Sequence, residues 1–338
     1  MNKKLIALAA AGATFAPAVM AQAANPVTLY GRVYVTVESV KASGGAAPLA
    51  QRMRVEDQSS FLGVRGEEDL GGGLKATYQL ETSFRPDQNT STFANRNSKI
   101  GIKGGFGEVF AGRWDTPFKS ANIAIDPFGD LTISGITSAA SDKGNFDRRA
   151  INNIQYWSPS MSGFALRASY GVNEGKTATL NPQEQALSLT YNKGPLYAFY
   201  AYEQLKDQSA ALPKQEGNSV GGAYTFGPVK VGALYQEFKK TNLTKQKAMM
   251  ANAVYTTGKH QFIYQYQQAE DGGAIGAAQP DCDNNSLGYQ YNFTRRTFTL
   301  VQYSKTKNND ASACRIGSFV GGNGSDPEGF SIGLRHVF

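Results

Sequence analysis

Histidine and methionine are scarce in these 338 residues, with two and six copies. Both histidines, His260 and His336, fall in strand-like segments with no metal-binding neighbour at useful spacing. No metal centre or imidazole-based acid–base site is expected from that supply. Beyond the first two dozen residues there is no run of about 18 apolar residues, so no helix is expected to span a membrane. Mean hydropathy is negative, which excludes a bundle of membrane helices. No repeat of about 20–50 residues with a fixed sequence is visible, which argues against a solenoid. Two short motifs fail on spacing. "GVNEGKT" (171–177) has three residues between its glycines where a phosphate-binding loop needs four. "DCDNNSLG" (281–288) opens like a calcium loop, but Ser286 stands where its glycine belongs and Asn292 where its glutamate belongs. No enzymatic constellation, cofactor site or metal site is expected.

What is plentiful is glycine (37), tyrosine (17) and phenylalanine (19), a mix that favours sheets and turns. The first residues read as a secretory signal. Lys3 and Lys4 precede the apolar stretch "LIALAAAGATFAPAV", and Ala21-Gln22-Ala23 supplies small residues at a cleavage site. The expected division is a signal peptide over 1–23 and a single barrel over 24–338, starting at Ala24. Losing the two lysines leaves 32 basic and 27 acidic side chains, a net of +5.

The remainder alternates with period two. "VTLYGRVYVTVESV" does so from Val27 and "GLKATYQLETSF" from Leu74. "QFIYQYQQ" sets Phe262, Tyr264 and Tyr266 against Gln261, Ile263, Gln265 and Gln267. In "GFSIGLRHVF" the residues Phe330, Ile332, Leu334, His336 and Phe338 share one parity. The connections fall into two alternating classes. Seven are short, for example "DLGGG" (69–73) and "TTGK" (256–259). Eight are long, centred on 41–51, 85–95, 116–147, 173–183, 206–216, 240–245, 271–284 and 307–327. Fifteen connections join sixteen strands. Lipid offers no partner to a backbone N–H or C=O, so such a sheet must close on itself. The expected fold is an all-β, 16-stranded antiparallel transmembrane barrel with short periplasmic turns and long extracellular loops. Phe338 then sits at the lipid–water boundary, where aromatic rings are favoured. A secreted soluble β-sandwich is the alternative.

The longest loop carries Asp126, Asp130, Asp142 and Asp147 together with Ile123, Ile125, Phe128, Leu131, Ile133 and Ile136. It can extend outward or fold into the lumen. Its apolar content favours the inward course, because a loop bathed in water seldom carries so many apolar side chains. Cys282 and Cys314 fall in neighbouring long loops. They read as a disulfide staple, with two free thiols as the alternative.

Four segments carry a family resemblance: "SSFLGVRGEEDLGGGLKATYQLE" (59–81), "NRNSKIGIKGGFGEVFAGRWDTPF" (95–118), "RRAINNIQYWSPSMSGF" (148–164) and "GLRHVF" (333–338). They resemble the general diffusion porins of Gram-negative bacteria, in the betaproteobacterial and neisserial branch that includes anion-selective members. The resemblance implies a homotrimer in outer-membrane lipid that passes small ions and hydrophilic solutes, with no nucleic-acid partner. It implies an inward third loop with "DPFGD" (126–130) as its turn, whose acids face basic wall residues across an eyelet. By match the wall arginines are Arg96, Arg148 and Arg149, with Arg52, Arg54 and Arg65 as further candidates. Phe338 is implied as the C-terminal signal read by the barrel-assembly machinery. One departure stands out. The family often has arginine where this chain has Phe61, after Ser60. The expected function is passive diffusion with an anion preference and lumen charges that keep their water. A surface adhesin or receptor, or a substrate-specific channel, is the alternative.

Overall fold

The structure is a computed structural model and describes residues 27–45, 47–88, 91–129, 131–139, 146–172, 174–210 and 212–338. The expected signal segment and Asp130 and Asp142 lie outside the described residues. Sixteen strands follow one another. They are β1 Thr28–Ser43, β2 Leu49–Asp57 continued by Phe61–Gly71, β3 Leu74–Phe84 and β4 Ser91–Thr92 continued by Ser98–Gly104. Then come β5 Gly107–Asp115, β6 Arg149–Trp157, β7 Phe164–Gly171, β8 Gln183–Lys193, β9 Leu196–Ser209 and β10 Leu212–Phe226. The last six are β11 Val229–Lys240, β12 Gln246–Thr257, β13 His260–Glu270, β14 Asp281–Asn292, β15 Thr297–Asn308 and β16 Asp326–Val337. The two pieces of β2 count as one strand because both pair with β1, through Val35↔Asp57 and Arg32↔Phe61. The two pieces of β4 likewise pair with β3. Each strand is antiparallel to the next, and β16 returns to β1 with registers from Arg32↔Val337 to Ser43↔Asp326. The sheet therefore has no free edge, as the closure argument requires.

At the seam Gly31 and Phe338 exchange two backbone hydrogen bonds of 3.1 Å. A Cβ on Gly31 would collide with the Phe338 ring and the Phe61 carbonyl, so only glycine lets the terminal ring lie against the first strand. Alternation sorts the two faces. On β16 Phe330, Ile332 and Leu334 are exposed on the outside, while Ser331 is fully buried on the inside. Near the short turns Tyr255, Phe262, Tyr289, Tyr291 and Phe293 contact one another in an outer aromatic belt, with His260 against Tyr289 and Tyr291. The "GGG" turn between β2 and β3 needs its glycines, because Gly71, Gly72 and Gly73 all have φ between +62° and +80°.

The connections alternate, but the expected long loop over 206–216 is mostly strand and that over 41–51 is partly strand, whereas the one at 240–245 is a loop as expected. Residues 44–48 and 210–211 are all that separate β1 from β2 and β9 from β10, and 241–245 separates β11 from β12. In the first two, polar residues continue the ladders past the apolar band as tall hairpins, which a sequence reading takes for loop. Cys282 is likewise in a strand, the second residue of β14, buried and facing inward. It is bonded to Cys314 in the connection 309–325.

The third connection, 116–148, folds into the barrel. It begins with α1, Pro117–Ile123, whose N-cap Thr116 accepts the Lys119 N–H through its hydroxyl. Proline at the first helical position suits a helix start, where no N–H is needed. Phe118, Ala121, Ile125, Ile136, Ala139 and Phe146 pack on Phe199, Leu205, Leu234, Phe238 and Met250 of the inner wall. Polar wall residues seat its backbone: Asn252 donates to Ile125 O at 2.9 Å, and Gln265 donates to Ser134 O at 2.8 Å. Gly288 leaves the gap that the Phe128 ring fills. The connection 309–325 also turns inward, where Ile316 and Phe319 are buried with Val40, Ala42 and Ile133.

Two outcomes follow for stability. Gly31→Val wedges the seam, and overpacking of this kind costs about 1–3 kcal/mol; the urea midpoint of the folded barrel in detergent should fall, and an unchanged midpoint contradicts the packing described. The disulfide spans 32 residues of sequence, so the chain-entropy model gives it about 3–4 kcal/mol. Cys282→Ser with Cys314→Ser should lower the thermal midpoint accordingly.

Candidate functional site

The lumen is lined by charge because period two sends alternate residues inward. Arg32, Glu38, Arg52, Arg54, Glu56 and Arg65 all take inward parity on β1 and β2. The six arginines expected at a constriction do not form one ring. Arg52 and Arg65 are thirteen residues apart on β2, or roughly 40 Å along the strand. They sort into four settings.

At the outer rim Arg52 and Arg54 lie 5.0 and 5.6 Å from the Phe319 ring centre. Arg54 also pairs with Glu38 at 2.6 Å and with Glu56 at 3.7 Å. Midway, Arg96 lies between the pieces of β4, 5.0 Å from the Phe61 ring centre and 4.0 Å from Glu81. Arg32 lies over the same ring at 5.4 Å and donates to Ser59 O at 2.8 Å. Phe61 thus carries two guanidiniums in the place where the resemblance implies a third. Ser59, at φ +63°, makes the kink that splits β2 and offers that carbonyl. Lower down Arg65 lies 4.7 Å from the Tyr30 ring centre. Arg148 and Arg149 are neighbours at the end of the third connection, yet they diverge. Arg148 meets Glu184 at 2.6 Å and Glu203 at 3.5 Å. Arg149 meets Asp115 at 3.3 Å and donates to Asn97 at 2.6 Å.

Of the four acids expected on the loop, Asp126 and Asp147 are among the described residues. Asp126 accepts the N–H groups of Phe128 and Ile136, at 3.0 and 2.8 Å, and so shapes its own turn. Asp147 lies 3.9 Å from Lys119. Among the described residues, the carboxylates paired with the named arginines stand on the wall: Glu38, Glu56, Glu81, Asp115, Glu184 and Glu203. Glu38 and Glu203 are fully buried, so the expectation that lumen charges keep their water fails there. A buried carboxylate survives only when paired, and these are paired with Arg54 and Arg148. Together Lys119, Arg148 and Arg149 clamp both ends of the third connection to β5, β8 and β9.

Sequence reasoning missed Arg167, Arg335 and Arg315. The first two had a usable signal: inward parity in strands whose other face is apolar. Arg335 lies 5.1 Å from the Phe298 ring centre and Arg167 lies 4.4 Å from Trp157. Among the described residues Arg65, Arg167 and Arg335 have no ion-pair partner. Arg315 gave no signal, since it comes inward only because its loop does; burial lowers its pKa, and Asp147 opposes that.

The chain is 32% identical over 363 residues to Outer membrane porin protein 32 of Delftia acidovorans, covering all of both chains. It is 25% identical over 371 residues to Major outer membrane protein P.IB of Neisseria gonorrhoeae, again covering both in full. Among solved structures it is similar to the anion-selective porin from Comamonas acidovorans, with a TM-score of 0.80 and 28% identity over 93% of this chain and 100% of that one. A family model described as Gram-negative porin matches residues 7–311. With a match of that extent on a closed sixteen-strand wall, the chain belongs to the Gram-negative porin family.

Proposed function

We propose that the protein is an outer-membrane channel for passive diffusion of small hydrophilic solutes and ions, with a preference for anions. One observation carries the preference: wall arginines held over aromatic rings without a carboxylate partner, Arg65, Arg167 and Arg335. Arginine stays charged at any accessible pH. A ring face attracts a guanidinium without cancelling its charge. Charge fixed on a low-dielectric wall focuses potential into the water beside it and raises the local concentration of the opposite ion. Arg52, Arg54, Arg96, Arg148 and Arg149 add positive charge, but their carboxylate partners or neighbouring acids offset it. Their part is to hold the third connection and the rim in place. The similar Comamonas protein, itself anion-selective by description, agrees in direction.

Three further elements complete the reading. Residues 1–23 act as the export signal, removed before Ala24. The strand ending in Phe338 is what the barrel-assembly machinery reads. The barrel works as a homotrimer. In support, the outer face between β3 and β7 is indented into a groove of about 680 Å³, where Asn152 bonds Glu174 at 2.7 Å. Polar groups there suit a protein neighbour better than lipid.

The test is the zero-current potential across a planar lipid bilayer in a KCl gradient. The native channel should show the sign of chloride preference. Arg65→Gln with Arg335→Gln should move the potential toward potassium. A native potential of potassium sign, or no movement in the double variant, overturns the preference.

A further inference from the structure

The connection 309–325 brings one more arginine inside the barrel, between two anchors. Cys314 is bonded to Cys282 of β14. Ile316 is fully buried with Ile133 of the third connection. Arg315 stands between them, and its backbone is seated on both sides. Thr306 Oγ1 of β15 donates to its carbonyl at 3.1 Å, and its own N–H donates to Ser138 O at 3.4 Å. The Asn308 side chain accepts from Cys314 N at 2.8 Å and donates to Cys314 O at 3.0 Å. Gly317 follows with φ +50°, and a Cβ there would press on the backbone of Leu131, Thr132 and Ile133. The two inward connections therefore meet main chain to main chain beside Arg315. The Arg315 side chain is only partly buried. Its Nε is buried without a partner, whereas its two terminal nitrogens are neither buried nor hydrogen-bonded. They are left to the water of the outer vestibule. Asp147 acts on this guanidinium through its field, but among the described residues no ion pair joins the two, and Asp147 lies 3.9 Å from Lys119.

We propose that Arg315 is a selectivity-determining charge at the outer end of the lumen, held in place by the Cys282–Cys314 disulfide. The inference rests on the channel reading above and adds a residue that strand parity does not supply. A guanidinium keeps its charge at any accessible pH. A unit charge about 10 Å from a passing ion in water changes the local ion concentration about twofold, upward for an anion and downward for a cation. Low-dielectric walls strengthen the effect. The same connection offers the Phe319 ring to Arg52 and Arg54, but Arg54 is offset by Glu38 and Glu56. Arg315 has no such carboxylate in contact. The disulfide is the covalent part of its placement: without it, only hydrogen bonds hold the chain on the Cys314 side, and the guanidinium spreads over more positions.

The test is the chloride-to-potassium permeability ratio of the purified full channel, read from zero-current potentials in KCl gradients centred near 0.1 M and near 1 M. Arg315→Gln and, separately, Arg315→Met should lower the ratio about twofold or more at the lower salt. The change should shrink at the higher salt, where the screening length falls from about 10 Å to about 3 Å. Arg315→Lys should restore most of the ratio. Lys305→Gln removes an equal charge from the outer face of β15, where Lys305 pairs with Glu328, and should leave the ratio unaltered. With Cys282→Ser and Cys314→Ser as background, Arg315→Gln should produce about half the change or less, since coupled sites are not additive. No change in either neutral variant, an equal change in Lys305→Gln, or a change that neither salt nor lysine reduces overturns the role of Arg315. An undiminished change without the disulfide overturns its placement by the cystine. Because the readout is the change on substitution, a native potential of potassium sign overturns the earlier preference and leaves this test standing.

Discussion

Everything in this molecule follows from backbone groups that must find partners where there is no water. An apolar outer face commits the sheet to lipid, and lipid commits the sheet to closure. Closure fixes the register of β1 against β16, and that register forces the small details at the seam. Gly31 is glycine because Phe338 occupies the space of its side chain. The same alternation that sends Phe330 and Leu334 into lipid sends Ser331 and Arg335 into the lumen. Selectivity is in this sense a by-product of covering the outside.

The lumen is divided rather than uniformly wet. Along β9 to β12 the inner wall is apolar at Phe199, Leu234, Phe238 and Met250, and the third connection covers that wall with its own apolar residues. This second core is what lets a connection of such length hold one course. The opposite wall, from β15 through β16 to β4, carries arginines stacked on Phe298, Phe61 and Tyr30. Water and solute pass between a greasy plug and a basic, aromatic wall. Phe61 illustrates how the wall keeps its charge. It supplies no charge itself, but the Arg32 and Arg96 guanidiniums rest over its ring, so the midpoint keeps two arginines although one of the usual pattern is lost.

Much of this was legible in the sequence, for a physical reason: alternation is local. The parity of "GFSIGLRHVF" gives the lipid face of β16 without knowing its neighbours, and the glycine run in "DLGGG" gives a tight turn. What escaped depends on register and on which strand lies beside which. Glu184 and Glu203 meet Arg148 only because β8 and β9 pair as they do. Cys282 looked like a loop residue because polar neighbours surround it, yet those neighbours continue the ladder of β14. The inward course of 309–325 depends on Ile316 and Phe319 finding Ile133 of another connection, a contact that no local pattern announces. Asp126 of the third connection accepts two N–H groups of its own turn, a shaping role that composition alone does not announce.

Closure is the claim on which the rest stands, and amide hydrogen exchange at the seam measures it most directly. In lipid, the amides of β1 and β16 that pair across Arg32–Ser43 and Asp326–Val337 should exchange as slowly as those shared by β11 and β12. Fast exchange confined to β1 and β16 would mean two open edges, and a sheet with open edges cannot be the wall of this channel.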